Sequence, residues 1–255
     1  MLLAALALPF AGSTAHGGVI KMQVACSVQG TNLTVRMTNT GDEPAQNVRA
    51  HVTFMDKEMH TENIGDFPPQ KPKSERFALD TAGLKGTHPA VIIVDFEDLN
   101  SYPFSSVSIQ QVKTKGARPA QLMGVLPGQM ELANKMTVPL RVRNKSDNEI
   151  IATCRVVTPN ELISNTPEFT VTVPPRGEQS ASVALENFSG TPTSSYPVHV
   201  LMEYDHEEEH FSISAMTVVA IVAPSPATSK GFWLVVAVVV LIAAVLLLPQ
   251  LRTKK

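Results

Sequence analysis

Tryptophan occurs once in 255 residues, cysteine twice, and aromatic residues make up only 5% of the chain. So few thiols exclude a disulfide-stapled miniature fold and a multi-cysteine zinc site. Basic runs are absent outside the extreme C-terminus, which argues against nucleic acid as a partner, because neutralising phosphates takes many clustered cations. There is no G-x-S-x-G nucleophile elbow and no glycine-rich phosphate loop. No complete catalytic constellation is present, so the sequence reads as a non-enzyme with no cofactor.

What is present begins with two apolar stretches. Residues 1–15 (MLLAALALPFAGSTA) run from leucine and alanine into the small residues Ser13-Thr14-Ala15, the pattern of an export signal cleaved after Ala15. Phe232 to Leu248 is 17 residues without a polar side chain. At the helical rise it spans roughly 26 Å, and residues 231–251 make up the rest of a bilayer crossing. Trp233 sits near one end, and Arg252, Lys254 and Lys255 follow the other. The positive-inside rule then leaves 252–255 as a cytoplasmic tail and the rest extracytoplasmic. The expected location is the cell membrane, single-pass, with 223–230 (APSPATSK) as a Pro/Ser stalk. Leaving out Arg252, Lys254 and Lys255 from the 21 cations gives 18 against 23 carboxylates in residues 16–230, a formal charge of −5.

The region between is duplicated. Leu33-Thr-Val-Arg-Met-Thr-Asn39-Thr-Gly-Asp42 parallels Val138-Pro-Leu-Arg-Val-Arg-Asn144-Lys-Ser-Asp147 at an offset of 105. Pro68-Pro69 followed by Ser74 to Asp80 parallels Pro174-Pro175 followed by Gln179 to Leu185. Pro89 to Phe96 parallels Pro197 to Tyr204 at an offset of 108. Three blocks in one order indicate two copies of one unit. Within each copy the hydrophobic period is two: Val48, Ala50, Val52 and Phe54 share a face, and 198–204 and 211–219 alternate likewise. The expected fold is all-β, two tandem immunoglobulin-like sandwiches at 16–115 and 116–222, with about seven strands each. Residues 113–121 form the junction. Cys26 and Cys154 fall in different copies and each faces a core, so two separate thiols are expected rather than a bridge.

The strand followed by Asn39-Thr-Gly, then Ala45 and Val48, resembles the CARDB and NEW3-type Ig-like modules of bacterial and archaeal surface proteins. The turn residues suit positive φ. In the second copy Asn144-Lys-Ser replaces Asn-Thr-Gly, so the motif is firmest over 31–112. The resemblance implies non-catalytic modules for adhesion, spacing or presentation. A weaker likeness is to the Ig-like lumenal subunits of the translocon-associated complex, which share the signal, the sandwich, the single span and the basic tail.

One literal motif match stands out. His206-Glu207-Glu208-Glu209-His210 is H-E-x-x-H, which on a helix places two zinc ligands on one face. Its flanks alternate with period two, so a charged hairpin turn is expected here. No Asp, Glu or His follows His210 to supply a third ligand. A divalent metal on the turn remains the alternative function, held by Asp205, His206, Glu207 and His210, with Asp95-Phe-Glu97-Asp98 as the corresponding acidic turn of the first copy. His16, as a mature N-terminus, offers an amine and an imidazole to copper if His51 or His60 lies near. His88 and His199 are expected at the surface or an edge. Three sequons occur, at Asn32, Asn144 and Asn187. The leading expectation is an interaction or adhesion protein, or an accessory subunit of a membrane complex. Its hairpin tips near 97–102 and 205–210 (Glu97, Asp98, Glu208, Glu209) would meet membrane or cell-surface proteins or glycans.

Overall fold

A computed structural model describes residues 19–224, together with Val238. The export segment, His16, the end of the stalk, the basic tail and the rest of the apolar run lie outside the described residues. Among the described residues no helix is long and apolar enough to cross a membrane.

Residues 19–224 are all-β, sixteen strands arranged as sandwich-like sheets. In the N-terminal half, β1 (Met22–Gln29), β2 (Asn32–Asn39) and β5 (Lys73–Ala78) form one sheet. It faces a second in the order β4 (Lys57–His60), β3 (Gln46–Phe54), β6 (Thr87–Glu97), β7 (Pro103–Lys113). In the C-terminal half, β8 (Leu122–Val125), β10 (Lys135–Asn144) and β14 (Glu178–Asn187) are joined at the edge by β12 (Leu162–Ser164). The facing sheet runs β13 (Glu168–Val173), β11 (Ile150–Val157), β15 (Ser195–His206), β16 (Glu209–Ile221), β9 (Gln129–Leu132). The strand order β1-β2-β5 recurs as β8-β10-β14, and β4-β3-β6-β7 as β13-β11-β15-β16. Only β9, parallel to β16, and β12 lack a counterpart.

Period-two patterning explains the two cores. In β3 the side chains of Val48, Ala50, Val52 and Phe54 point inward and are buried. In β10, Val138, Leu140 and Val142 do the same while Arg141 and Arg143 face out. One apolar cluster is built from β1–β7 and their loops, the other from Leu122 to Ile221, and no residue belongs to both. Cys26 and Cys154 are unbridged, one partly buried beside Ser108 and one fully buried. Burial pushes the Cys26 thiol up to about 11 and that of Cys154 up to about 12, which leaves both as inert thiols.

The two halves share a buried polar staple. Asn39 is 0% exposed and its amide nitrogen donates to the Glu43 carbonyl (2.7 Å) and the Phe67 carbonyl (3.4 Å). Asn144, 1% exposed, donates to the carbonyls of Asn148 (2.7 Å) and Val173 (3.2 Å). Each side-chain oxygen accepts the backbone N–H two residues on, from Gly41 or Ser146. This corrects the expectation that Asn and Gly serve the turn through positive φ, since none of Asn39, Gly41 and Asn144 adopts it. The asparagine acts instead as a side-chain bridge tying a turn to a carbonyl far along the chain. Gly41 is needed for room, because a Cβ there would collide with the backbone of Val19 and Lys21. The same staple removes Asn144 as a glycan acceptor, and Asn187 is held likewise, donating to Ala133 and Gly190. Asn32 is the exposed sequon asparagine.

Replacing Asn39 or Asn144 by Ala removes the side-chain hydrogen bonds that tie each turn to a distant carbonyl. Each substitution is expected to cost about 2 kcal/mol in urea unfolding, whereas Asp147→Ala, which breaks an exposed pair with Arg176, should leave the urea midpoint nearly unchanged.

Candidate interaction surfaces and the contact between the halves

The H-E-x-x-H segment is the tip of the β15–β16 hairpin. His206 pairs with Glu209 and Asp205 with His210, leaving Glu207 and Glu208 as a two-residue loop with φ of 49° and 61°. Two left-handed residues in sequence form the loop geometry that matches strand twist and favours Asn-Gly. Because cross-strand partners share a face while neighbours alternate, His206 and His210 project to opposite sides of the ribbon. On one side His210 lies between Asp205 (2.8 Å to Nδ1) and Glu203 (3.2 Å to Nε2). On the other, Arg118 bonds Glu207 and Glu209 and lies over the Phe211 ring, which stacks on Tyr204. Among the described residues no group of three His, Cys, Asp or Glu side chains is placed to hold a metal. His51 and His60 are cross-strand neighbours with ring centroids 6.3 Å apart.

The four carboxylates expected as interaction loops are engaged within the chain. Glu208 reaches Lys85 and Glu209 reaches Arg118, while Glu97 accepts from Asn47. Asp98 caps its own turn, accepting from the backbone of Asn100 and Tyr102. The acidic turn expected at Asp95 to Asp98 is shorter than supposed. Asp95 and Glu97 are strand residues of β6, and only Asp98 enters the turn. Asp95 is paired with His51 (3.1 Å) and Asn160 (3.0 Å), and burial raises its carboxyl above the usual range.

Sequence reasoning missed the surface between the two halves. Val91, Val107 and Leu201 are buried yet belong to neither core. They occupy outward positions of β6, β7 and β15, where the outer face of β6–β7 packs on the outer face of β15–β16. The result is a stack of four sheets, core, contact layer and second core in succession. Polar groups lock the layer. Glu161, 1% exposed, accepts from the Ser105 backbone N–H (2.7 Å) and hydroxyl (2.8 Å), while that hydroxyl accepts from the Asn160 N–H (2.7 Å). The Ser212 hydroxyl donates to Gln111, and Tyr102 donates to the Ser189 carbonyl (2.9 Å). At the far end Gly86, at φ +96°, forms a parallel bridge with His210, and the His210 N–H donates to the Lys85 carbonyl. A Cβ on Gly86 would collide with the His210 backbone.

Here the histidine expectation is corrected. His88 and His199 are buried, because the opposing half covers strand faces that would be exposed in a lone sandwich. The His88 ring stacks on His210 with centroids 4.8 Å apart. Desolvation, with His210 as second cause, lowers the pKa of His88, and desolvation lowers that of His199. The neutral His88 ring donates from Nε2 to the Lys85 carbonyl (3.1 Å), which can only accept. Hydrogen bonding to Glu203, then to Asp205, raises the pKa of His210. Desolvation also raises the Glu161 carboxyl.

Beyond this layer one exposed apolar group spans both halves. Leu99 (57% exposed) and Tyr102 (38%) come from the β6–β7 turn, and Phe188 (70%) from the loop after β14. A cleft of about 460 Å³ beside them is lined by Asn47, Arg49, His51, Phe104 and Glu161.

These features define a class, an all-β protein of packed sandwich-like sheets. No protein-family model matches the chain, and no curated protein matches it. Solved structures similar to the chain include Salmonella alpha-2-macroglobulin reacted with methylamine, at 9% identity over 80% of this chain and 16% of that one, TM-score 0.34. Red sea bream transglutaminase is 14% identical over 81% and 32%, TM-score 0.27. The periplasmic chaperone SfaE is 14% identical over 77% and 100%, TM-score 0.33. The chain thus spans less than a third of the macroglobulin or transglutaminase chain.

Three measurements test this geometry. Replacing Glu207-Glu208 by Asn-Gly fits the left-handed loop and is expected to raise the urea midpoint despite the lost surface ion pairs. Gly86→Ala is expected to part the halves at the hairpin end, seen as an increased radius of gyration in solution scattering with both cores still folded. The third concerns pH. His210 has a raised folded pKa, so its contribution is full below 6.5 and lost as pH rises through the folded value. His88 and His199 have lowered values, so theirs is present above 6.5 and lost as pH falls through the folded values. His199→Leu should therefore reduce the loss of thermal stability between about pH 7 and about pH 5, while His210→Gln should destabilise more at about pH 5.5 than at about pH 8.

Proposed function

We propose that the chain is a non-catalytic, membrane-anchored extracytoplasmic interaction protein built of two tandem Ig-like domains, residues 16–115 and 116–222. The recurring strand order and the shared Asn39 and Asn144 staples support the duplication. The 17-residue apolar run and the basic residues after it support the anchor. One observation carries the functional reading: the two sandwiches are locked face to face through a buried layer, so a fixed composite surface is presented. A pair of independently mobile modules would suit spacing; a fixed pair suits recognition of another protein by a shape that neither half has alone. We favour an accessory subunit of a membrane complex over free adhesion for this reason.

Metal delivery draws no support from the 206–210 turn. His206 and His210 face apart, and His210 is already held by Glu203 and Asp205.

Affinity purification of the full chain from native membranes tests the proposal. A stoichiometric membrane-protein partner is expected, lost when Glu161→Ala loosens the pair while each core stays folded. Purification without any protein or glycan, together with uptake of zinc or copper abolished by His206→Ala and His210→Ala, would replace it with the metal reading.

A further inference from the structure

We infer that the Leu99, Tyr102 and Phe188 face rests on the lipid bilayer that the chain's own apolar run enters, so that the four-sheet body is held against the membrane rather than lifted off it. The inference builds on the membrane-anchored reading above. β16 starts at the acidic hairpin tip and ends at Ile221, a 13-residue strand spanning about 40 Å. At that far end Ile221 exchanges backbone hydrogen bonds with Thr193 and Ser194 (2.9 and 2.8 Å), and a Cβ on Gly190 would lie 3.0 Å from the Ile221 side chain. Phe188 and Ser189 precede Gly190 in that loop, and Ser189 accepts the Tyr102 hydroxyl. The apolar face and the point where the chain leaves the last strand are therefore at the same end of the body. Ten residues, 222–231, separate Ile221 from Phe232. Fully extended they reach at most about 35 Å, a tether short enough to let the face meet the bilayer surface.

The chemistry fits that surface. The face is made by two loop tips, each offering a large apolar side chain to solvent, with a tyrosine between them, the side-chain type enriched at the membrane interface. The carboxylates around the Leu99 turn outnumber Arg49, the cation of the adjacent cleft, and do not fit an anionic surface. Glu43 lies at the Leu99 N–H, Asp98 caps the turn, and Glu97 stands at the end of β6. Docking therefore uses apolar insertion into neutral lipid, and neither anionic headgroups nor low salt is required. The opposite end, with Glu207 and Glu208, then faces away from the membrane.

The test uses the full chain in phosphatidylcholine nanodiscs with brominated acyl chains, which quench nearby indoles. In the wild type the single tryptophan, Trp233, reports the apolar run alone. In the double variant Phe188→Trp, Trp233→Phe the indole reports the face. In Ile151→Trp, Trp233→Phe it reports an exposed β11 site near the hairpin-tip end, two residues before Thr153, which pairs with Glu203. The expected result is that brominated lipid removes roughly half the emission in the first two proteins and none in the third, unchanged by salt, and that adding Leu99→Asp weakens quenching of the Phe188→Trp indole. Quenched Trp233 with an unquenched indole at 188 would overturn the docking and leave the anchor standing. An unquenched Trp233 with a quenched indole at 188 would do the reverse. Equal quenching at 151 and 188 would also overturn it, since no particular face would then meet the lipid.

Discussion

The packing of the outer β6–β7 face against the outer β15–β16 face is the contact on which the rest of this molecule depends. A two-sheet sandwich needs to bury only its inner faces, and its outer faces are ordinarily polar. Here Val91, Val107 and Leu201 give the outer faces enough apolar area to meet, and buried polar groups fix the register. Glu161 does this most directly. A carboxylate withdrawn from water is costly unless its oxygens are satisfied, and the Ser105 N–H and hydroxyl satisfy both. Any slip of one half against the other would leave this carboxyl unpaired, so it ties the halves to one register.

That contact also accounts for the polar chemistry. His88, His199 and His210 look like candidate ligands when taken one at a time. In place they are parts of the joint: one donates to a backbone carbonyl, one is buried against β7, and one is held by two carboxylates. Opposite pKa displacements in stacked neighbours follow from their surroundings, since His210 has carboxylate acceptors and His88 is desolvated beside a second imidazole.

The staple asparagines show how a repeat preserves physics while changing residues. Asn39-Thr-Gly and Asn144-Lys-Ser differ at two of three positions, yet both asparagines donate to a carbonyl four residues on and to another about thirty residues away. At the position of Gly41, where a Cβ would meet the Val19 backbone, the second half carries Ser146, whose hydroxyl bonds the Asn144 side chain.

Much was legible in the residues themselves. Alternation in 48–54 and 138–142 sets which side chains enter a core, and the flanks of 206–210 dictate a hairpin, because a two-residue period cannot be satisfied on a helix. The three matched blocks carry the duplication. Sequence could not show what covers an outer face, since a valine at position 91 or 107 and a histidine at 88 or 199 read alike whether water or another sheet lies against them. Pleat parity separates His206 from His210 once the loop is known to have two residues, but loop length and the docking of one half on the other are set by long-range contact. Local pattern therefore determined the strands and their inward faces, and only the tertiary packing decided that two sandwiches act as one body, which histidines are buried, and where the apolar tips stand relative to the end of the last strand.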